Sequence, residues 1–262
     1  MRHYGVAQSM LSHDGSADDI AYHLGAAAAI VAELGPIVRV PSDVRDQALT
    51  ALEAKVARAV DQGNLLATAR SAQQAIDLFP DPPSAELAHR IALLRLRRIG
   101  ALIGMRDLDR ATAENDEVLD AAIADGDREI EAGSRRARGL ISQTGGDLAT
   151  ARIRLGEAID LYRELDDRPQ LAETLRLRGF LELFGGSLSV AEWLFGEAAS
   201  LYEALGDRRG LGYIDQHVGW MEFLTGRHDQ AEAHLSASIA ALGELGDRAG
   251  VGWAMGLMAF VK

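Results

Sequence analysis

Self-similarity at a fixed interval is the feature that most restricts how this chain folds. Asp127-Arg128, Asp167-Arg168, Asp207-Arg208 and Asp247-Arg248 recur every forty residues. The same interval links Gly139, Gly179 and Gly219, then Gly146, Gly186 and Gly226, and also Ala111, Ala151, Ala191 and Ala231. A chain with one repeated unit of this size stacks its units, each burying its apolar face against its neighbours.

Each repeated column has a physical job. In Gly206-Asp207 and Gly246-Asp247 the glycine suits the left-handed residue that ends a helix, and the aspartate suits the cap that opens the next. Gly146-Asp147 and Gly186-Ser187 repeat this stop-and-cap chemistry halfway, so each unit reads as helix, tight turn, helix. At Gly226 the following residues are Arg227 and His228, a weaker cap. Between turns the apolar residues fall at helical spacing, as in Leu148, Ala151, Leu155, Ala158, Ile159 and Tyr162, with no strand-like alternation. Gly139, Gly179 and Gly219 lie mid-helix, where glycine costs about 1 kcal/mol against alanine, so the paired helix is expected to approach closely there.

A small residue seven positions before the turn glycine, Leu two after it, Ala three further, a large apolar residue four beyond and Ala three beyond that form one pattern. It reads Gly179, Gly186, Leu188, Ala191, Phe195, Ala198 in one copy and Gly139, Gly146, Leu148, Ala151, Leu155, Ala158 in another. The pattern resembles the tetratricopeptide (TPR) repeat family. The forty-residue length and the Leu-Gly-Asp-Arg junction are similar to the MalT-like arrays of large bacterial signalling ATPases and transcriptional regulators, and the resemblance covers about residues 42–262. It implies an all-α, right-handed superhelical solenoid of antiparallel helix pairs with about twelve helices. The expected organisation is a flexible tail at 1–15 and a leading helix and linker at 16–41. A divergent first pair at 42–83 follows, then pairs at 84–126, 127–166, 167–206 and 207–246, and an unpaired terminal helix at 247–262.

Composition bounds the function. A formal charge of -12 argues against general nucleic-acid affinity, since phosphate binding needs clustered cations. The absence of cysteine excludes disulfides, thiol catalysis and thiolate metal sites, and fits a cytoplasmic protein. No signal or membrane segment stands out, because the most apolar early stretch, Leu24 to Ala32, is short and follows Asp18, Asp19 and His23. No Walker loop, GxSxG elbow, HExxH or dinucleotide fingerprint is present. The chain therefore reads as a non-enzyme with no cofactor.

His217, His228 and His234 share one repeat and are the best metal candidates, although only His228 has a carboxylate one turn away, Glu232. The acids Glu129, Glu131, Glu164, Asp166 and Asp167 fall near helix ends and outer faces, where such residues cap and solvate. Arginines recur at 95, 97 and 98, at 135, 136 and 138, and at 176 and 178, either for an anionic ligand or for pairing with neighbouring acids.

In TPR arrays the first helix of each pair lines the concave surface. The resemblance then puts Gly133, Arg136, Leu140, Gln143 and Thr144 on that face, followed by Glu173, Arg176, Phe180, Leu183 and Phe184. Tyr213, Gln216, Trp220, Phe223 and Leu224 come next, and the last helix adds Trp253 and Phe260. Aromatics are only 5% of the chain, yet seven collect here. Arg136, Arg176, Phe180, Phe184, Tyr213, Trp220, Phe223 and Trp253 are the expected partner-binding residues, a composition suited to a peptide or amphipathic helix. The competing reading is packing between neighbouring helices. From Val251 to Val261 no residue is polar, so Val251, Met255, Met258 and Phe260 are expected to associate with a partner or a second copy.

The expected function is a protein- or peptide-binding scaffold serving as a regulatory or sensory part of a bacterial signalling system. Its partner is a protein or peptide, with a neighbouring ATPase or DNA-binding domain as one form, and no direct nucleic acid or membrane contact. A small-ligand or signalling-peptide sensor is the alternative, and a metal-dependent hydrolase a third.

Overall fold

In the computed structural model, which describes residues 2–13 and 15–262, the chain is all-α, built of antiparallel helix pairs in TPR-like fashion. It contains thirteen helices and no strand among the described residues, and no helix there is long and apolar enough to cross a membrane. Two compact units divide it, Met1–Ile130 and Glu131–Lys262.

The N-terminal unit begins with a helix, which corrects the expected flexible tail at 1–15 and raises the count from twelve. α1, Arg2–Ser12, packs on α2, Ala17–Leu34, through a fully buried Ala7 that shares a core with Ala21, Leu24 and Ala28. Tyr4 packs against the same core one turn away, a helical spacing short enough to be overlooked in so brief a segment. His3 and His23 meet across the pair, Nδ1 to Nδ1, at 2.8 Å. α3 (Val44–Asp61) and α4 (Leu65–Ile76) follow, then α5 (Ala85–Gly104) and α6 (Leu108–Asp125).

The C-terminal unit takes α7 (Arg128–Gly145) from Glu131 onward with α8 (Leu148–Glu164), α9 (Arg168–Phe184) with α10 (Leu188–Leu205), and α11 (Arg208–Leu224) with α12 (His228–Glu244). α13, Arg248–Val261, packs on α12 and closes it. The aspartates of the junctions cap as their position demands. Oδ1 of Asp127, Asp147, Asp167, Asp207 and Asp247 accepts the backbone N–H three residues on, at 2.9–3.2 Å. Ser187, expected to cap α10, makes no such side-chain bond, and neither does Arg227 before α12. Where a junction lacks glycine at the left-handed position, Asp166 (φ 51°) and Arg106 (φ 62°) occupy it instead.

The mid-helix glycines are contact points between paired helices. A Cβ on Gly179 would lie 2.6 Å from Cε1 of Phe195, and one on Gly139 would lie 2.7 Å from Cγ of Leu155. No side chain fits between those helices, so the large residue of the second helix fills the space above the glycine. The core of this unit runs through Tyr162, Leu175, Phe195, Tyr202, Ile214 and Met221.

Candidate functional site

The first helices of the C-terminal unit carry a cluster in which charge, aromatic rings and burial meet. Arg176, with only 13% of its side chain exposed, forks onto Glu173 one turn back on α9, Nε to Oε2 at 2.9 Å and Nη2 to Oε1 at 2.7 Å. From α10 the Tyr202 hydroxyl donates to the same carboxylate at 2.9 Å. From α11 His217 faces Arg176, with Nε2 accepting from Nη1 at 2.9 Å, which puts the imidazole proton on Nδ1. The Tyr213 ring centroid lies 5.0 Å from the guanidinium carbon, and its hydroxyl donates to Asp247 at 3.0 Å. Arg136 of α7 donates to Gln170 and lies 5.7 Å from the Tyr162 ring.

Titration follows from this packing. Burial by itself would push the Glu173 carboxyl up, but the Arg176 charge and hydrogen bonds, with Arg136 and Tyr202, hold it below its ordinary value. Burial first and the Arg176 charge second depress His217 well below the usual histidine range, so this imidazole is neutral near pH 7. Tyr213 is pushed up to about 12 by burial and then by the charge of Asp247. The cluster is a fixed cation–carboxylate pair resting on neutral aromatics.

Beside it runs the aromatic series. Phe180 lies 4.8 Å from Phe184 and 5.0 Å from His217, ring centroid to centroid. One turn further along α11, Trp220 stacks on Phe223 at 4.9 Å and meets Phe260 of α13 edge-on at 5.8 Å. Phe184, Trp253 and Phe260 are 56%, 53% and 67% exposed, far more than rings of a sealed core. Phe180, Trp220, Phe223 and Tyr213 are half-buried. The structure thus joins Tyr213 directly to Arg176, Arg176 to Phe180 through His217, and Trp220, Phe223 and Phe260 through one another, while Trp253 makes no ring contact of this kind among the described residues.

Other expected positions fall elsewhere. Leu183 and Gln216 are buried rather than on the exposed face, because Leu183 packs into the core and the Gln216 amide donates to Gly250 O at 3.0 Å. In α13, Met255 is exposed, Val251 and Met258 are half-buried, and Ala254 and Leu257 take the buried side. The three histidines have separate surroundings. His217 sits between Phe180 and Phe195, His234 bonds Asp215 at 3.0 Å, and His228 packs on Phe223. No group of three metal-ligating side chains occurs among the described residues. The arginines mostly pair with acids: Arg98 with Glu114, Arg135 with Glu131 and Glu157, Arg178 with Glu182. Glu131 and Asp166 are ion-paired, and Asp167 caps α9.

Two participants escaped sequence reasoning. Tyr202 lies forty residues after Tyr162, a column that could have been aligned with the rest, and Gln170 follows the cap Asp167 by three. Trp193, 60% exposed on α10, was also missed, forty residues after the exposed Ile153 of α8.

No protein-family profile matches this chain, and none of the curated proteins does. Solved structures do. The apo form of RapI aligns with a TM-score of 0.63 at 12% identity, over 100% of this chain and 96% of RapI. A Rap protein complexed with Competence and Sporulation Factor aligns at 0.61 and 12% identity, over 99% of this chain and 73% of that one. Aspartyl phosphate phosphatase F from Bacillus subtilis aligns at 0.62 and 12%, covering 99% and 68%. At this identity the likeness is one of fold.

Proposed function

We propose that the chain is a regulatory binding module whose C-terminal unit holds a peptide, or an amphipathic helix of a partner protein, on the face carried by α9, α11 and α13. The observation that carries this reading is the exposed aromatic series of Phe184, Trp253 and Phe260 flanking half-buried Phe180, Trp220 and Phe223, beside the Arg176–Glu173 pair. Large rings of this kind supply contact area at low entropic cost, and a guanidinium already oriented by a carboxylate and an imidazole loses little freedom on binding. Tyr213 lies against Arg176, and Arg136 reaches α9 through Gln170.

The fold neighbours lend support from outside, since one Rap structure holds Competence and Sporulation Factor and another neighbour is an aspartyl phosphate phosphatase. Both fit the reading of a signalling component. The role proposed for this chain is binding, with no catalytic step assigned to any residue. A peptide selected from a random display library against the full chain supplies the probe. Replacing Trp220 and Phe223 together by alanine should weaken that peptide by more than about 2 kcal/mol, as anchor residues do, with helicity by circular dichroism unchanged. Unaltered affinity removes this face from the function.

A further inference from the structure

α4 is the short second helix of the chain. It runs for 12 residues, whereas α6, α8, α10 and α12 run for 17 or 18. Pro80, Pro82 and Pro83 follow it, and proline both lacks the N–H that a helix needs and disfavours helical backbone in the residue before it. The chain leaves the helical path after Ile76. Within the N-terminal unit, an open cavity of about 840 Å³ remains among this proline loop, α5 and α6, reaching the start of α7. That is the size of an ordinary small-ligand site, roughly 300–1,000 Å³. Part of its wall is apolar, with Phe79, Ile91, Val118 and Ile130 all buried.

Charge is separated along this cavity. Toward the middle of α5 it is lined by Arg95 and Arg98, which converge on one buried carboxylate. Arg98 Nε reaches the two Glu114 oxygens at 2.9 and 2.8 Å, and Arg95 Nε reaches Oε1 at 3.4 Å while its Nη2 pairs with Glu117. These ion pairs engage the Nη1 group of neither arginine. At the other end, where α6 stops and α7 starts, the lining residues are Asp125 and Asp127, with His89 Nδ1 against Asp127 at 2.6 Å. From Ala88 and His89 to Arg95 and Arg98, α5 advances about 10–14 Å at its helical rise.

We infer that this cavity binds an elongated zwitterion with an apolar body, its ammonium at the aspartate end and its carboxylate at the arginine end. The simplest such molecule is an apolar peptide with free termini, and about three to four residues span the distance at roughly 3.3–3.6 Å each. A simple anion does not match, because it would meet the arginines at one end only and leave Asp125 and Asp127 at the other without a partner from the ligand. Only a ligand of opposite charges, one at each end, finds its complement at both.

Trileucine, N-acetyl-trileucine and trileucine amide, titrated separately into the full chain by calorimetry at low salt, test this. The free peptide should bind saturably with one-to-one stoichiometry, and each capped form at least tenfold more weakly. Arg98→Gln should weaken the free peptide tenfold while leaving the amide unchanged, a coupling that loss of fold would not reproduce. Ala88→Phe fills the cavity without touching Glu114 and should abolish binding. The Trp220→Ala, Phe223→Ala double variant should leave trileucine affinity intact, which separates this cavity from the aromatic face. Absence of binding by the free peptide, equal affinity for all three forms, survival of binding in Ala88→Phe, or its loss in the double variant would each overturn the inference.

Discussion

Two regions solve the same packing problem differently. In the C-terminal unit the first helix supplies Gly139, Gly179 or Gly219 and the second supplies Leu155, Phe195 or Leu235, so backbone meets a large side chain. In the N-terminal unit the positions of α5 and α6 that stand forty residues earlier in those columns are Ile99 and Asn115, both fully buried. The bulk has moved from one helix to its partner. A polar side chain now occupies a slot filled elsewhere by Leu or Phe, and neither Asn115 Oδ1 nor Nδ2 has a hydrogen-bond partner among the described residues. Here an exchange of size across the contact comes with an exchange of polarity, and an unpaired buried amide costs free energy that shape alone does not restore.

The sharpest way to break this comparison is to remove the bulk where glycine faces it. Phe195→Ala leaves a void that Gly179 has no side chain to fill, and the unfolding free energy should fall by about 3–5 kcal/mol, measured by urea denaturation. A loss below about 1.5 kcal/mol, the range of well-tolerated core swaps, would mean the crossing does not depend on the ring. The matching change in the other unit should act in the opposite sense. Asn115→Leu keeps similar shape and removes two unpaired polar atoms, so stability should rise by about 1–2 kcal/mol. A decrease would show that the amide is satisfied in solution and that the two crossings differ in more than size.

The smallest effect concerns protons. His217 is held neutral in the folded chain, mainly by burial, whereas an unfolded histidine takes up a proton below about pH 6.5. Below that value the unfolded state binds more protons, so stability falls as pH drops, by at most about 1.4 kcal/mol per pH unit from this residue. Thermal melts between pH 7 and 5 should fall less steeply in His217→Gln than in the parent. Identical slopes would place the imidazole in water rather than against Phe180 and Phe195.

Much of the architecture was legible because local chemistry repeats. Glycine with positive φ followed by a capping aspartate is a short-range signal, and the caps at Asp147, Asp207 and Asp247 needed no tertiary information. α1 was not legible, since eleven residues with a single fully buried alanine give too weak a periodic pattern. At the candidate site, the stripe of Arg176, Phe180, Tyr213 and Trp220 followed from register, but register could not show that Gln216 and Leu183 turn inward. One helical residue differs from the next by about 100°, so a face read from spacing alone is uncertain at its edges.

The amino-acid sequence by itself determined the helix pairs, their turns and the close crossings at glycine, because each depends on residues within one forty-residue step. Only the tertiary structure decided that Glu173, Tyr202 and His217 converge on one guanidinium, and that the proline loop after α4 leaves a charged-ended cavity. Those features join side chains from helices distant in the chain, whose meeting is set by how whole helices pack and not by the preferences of any one segment.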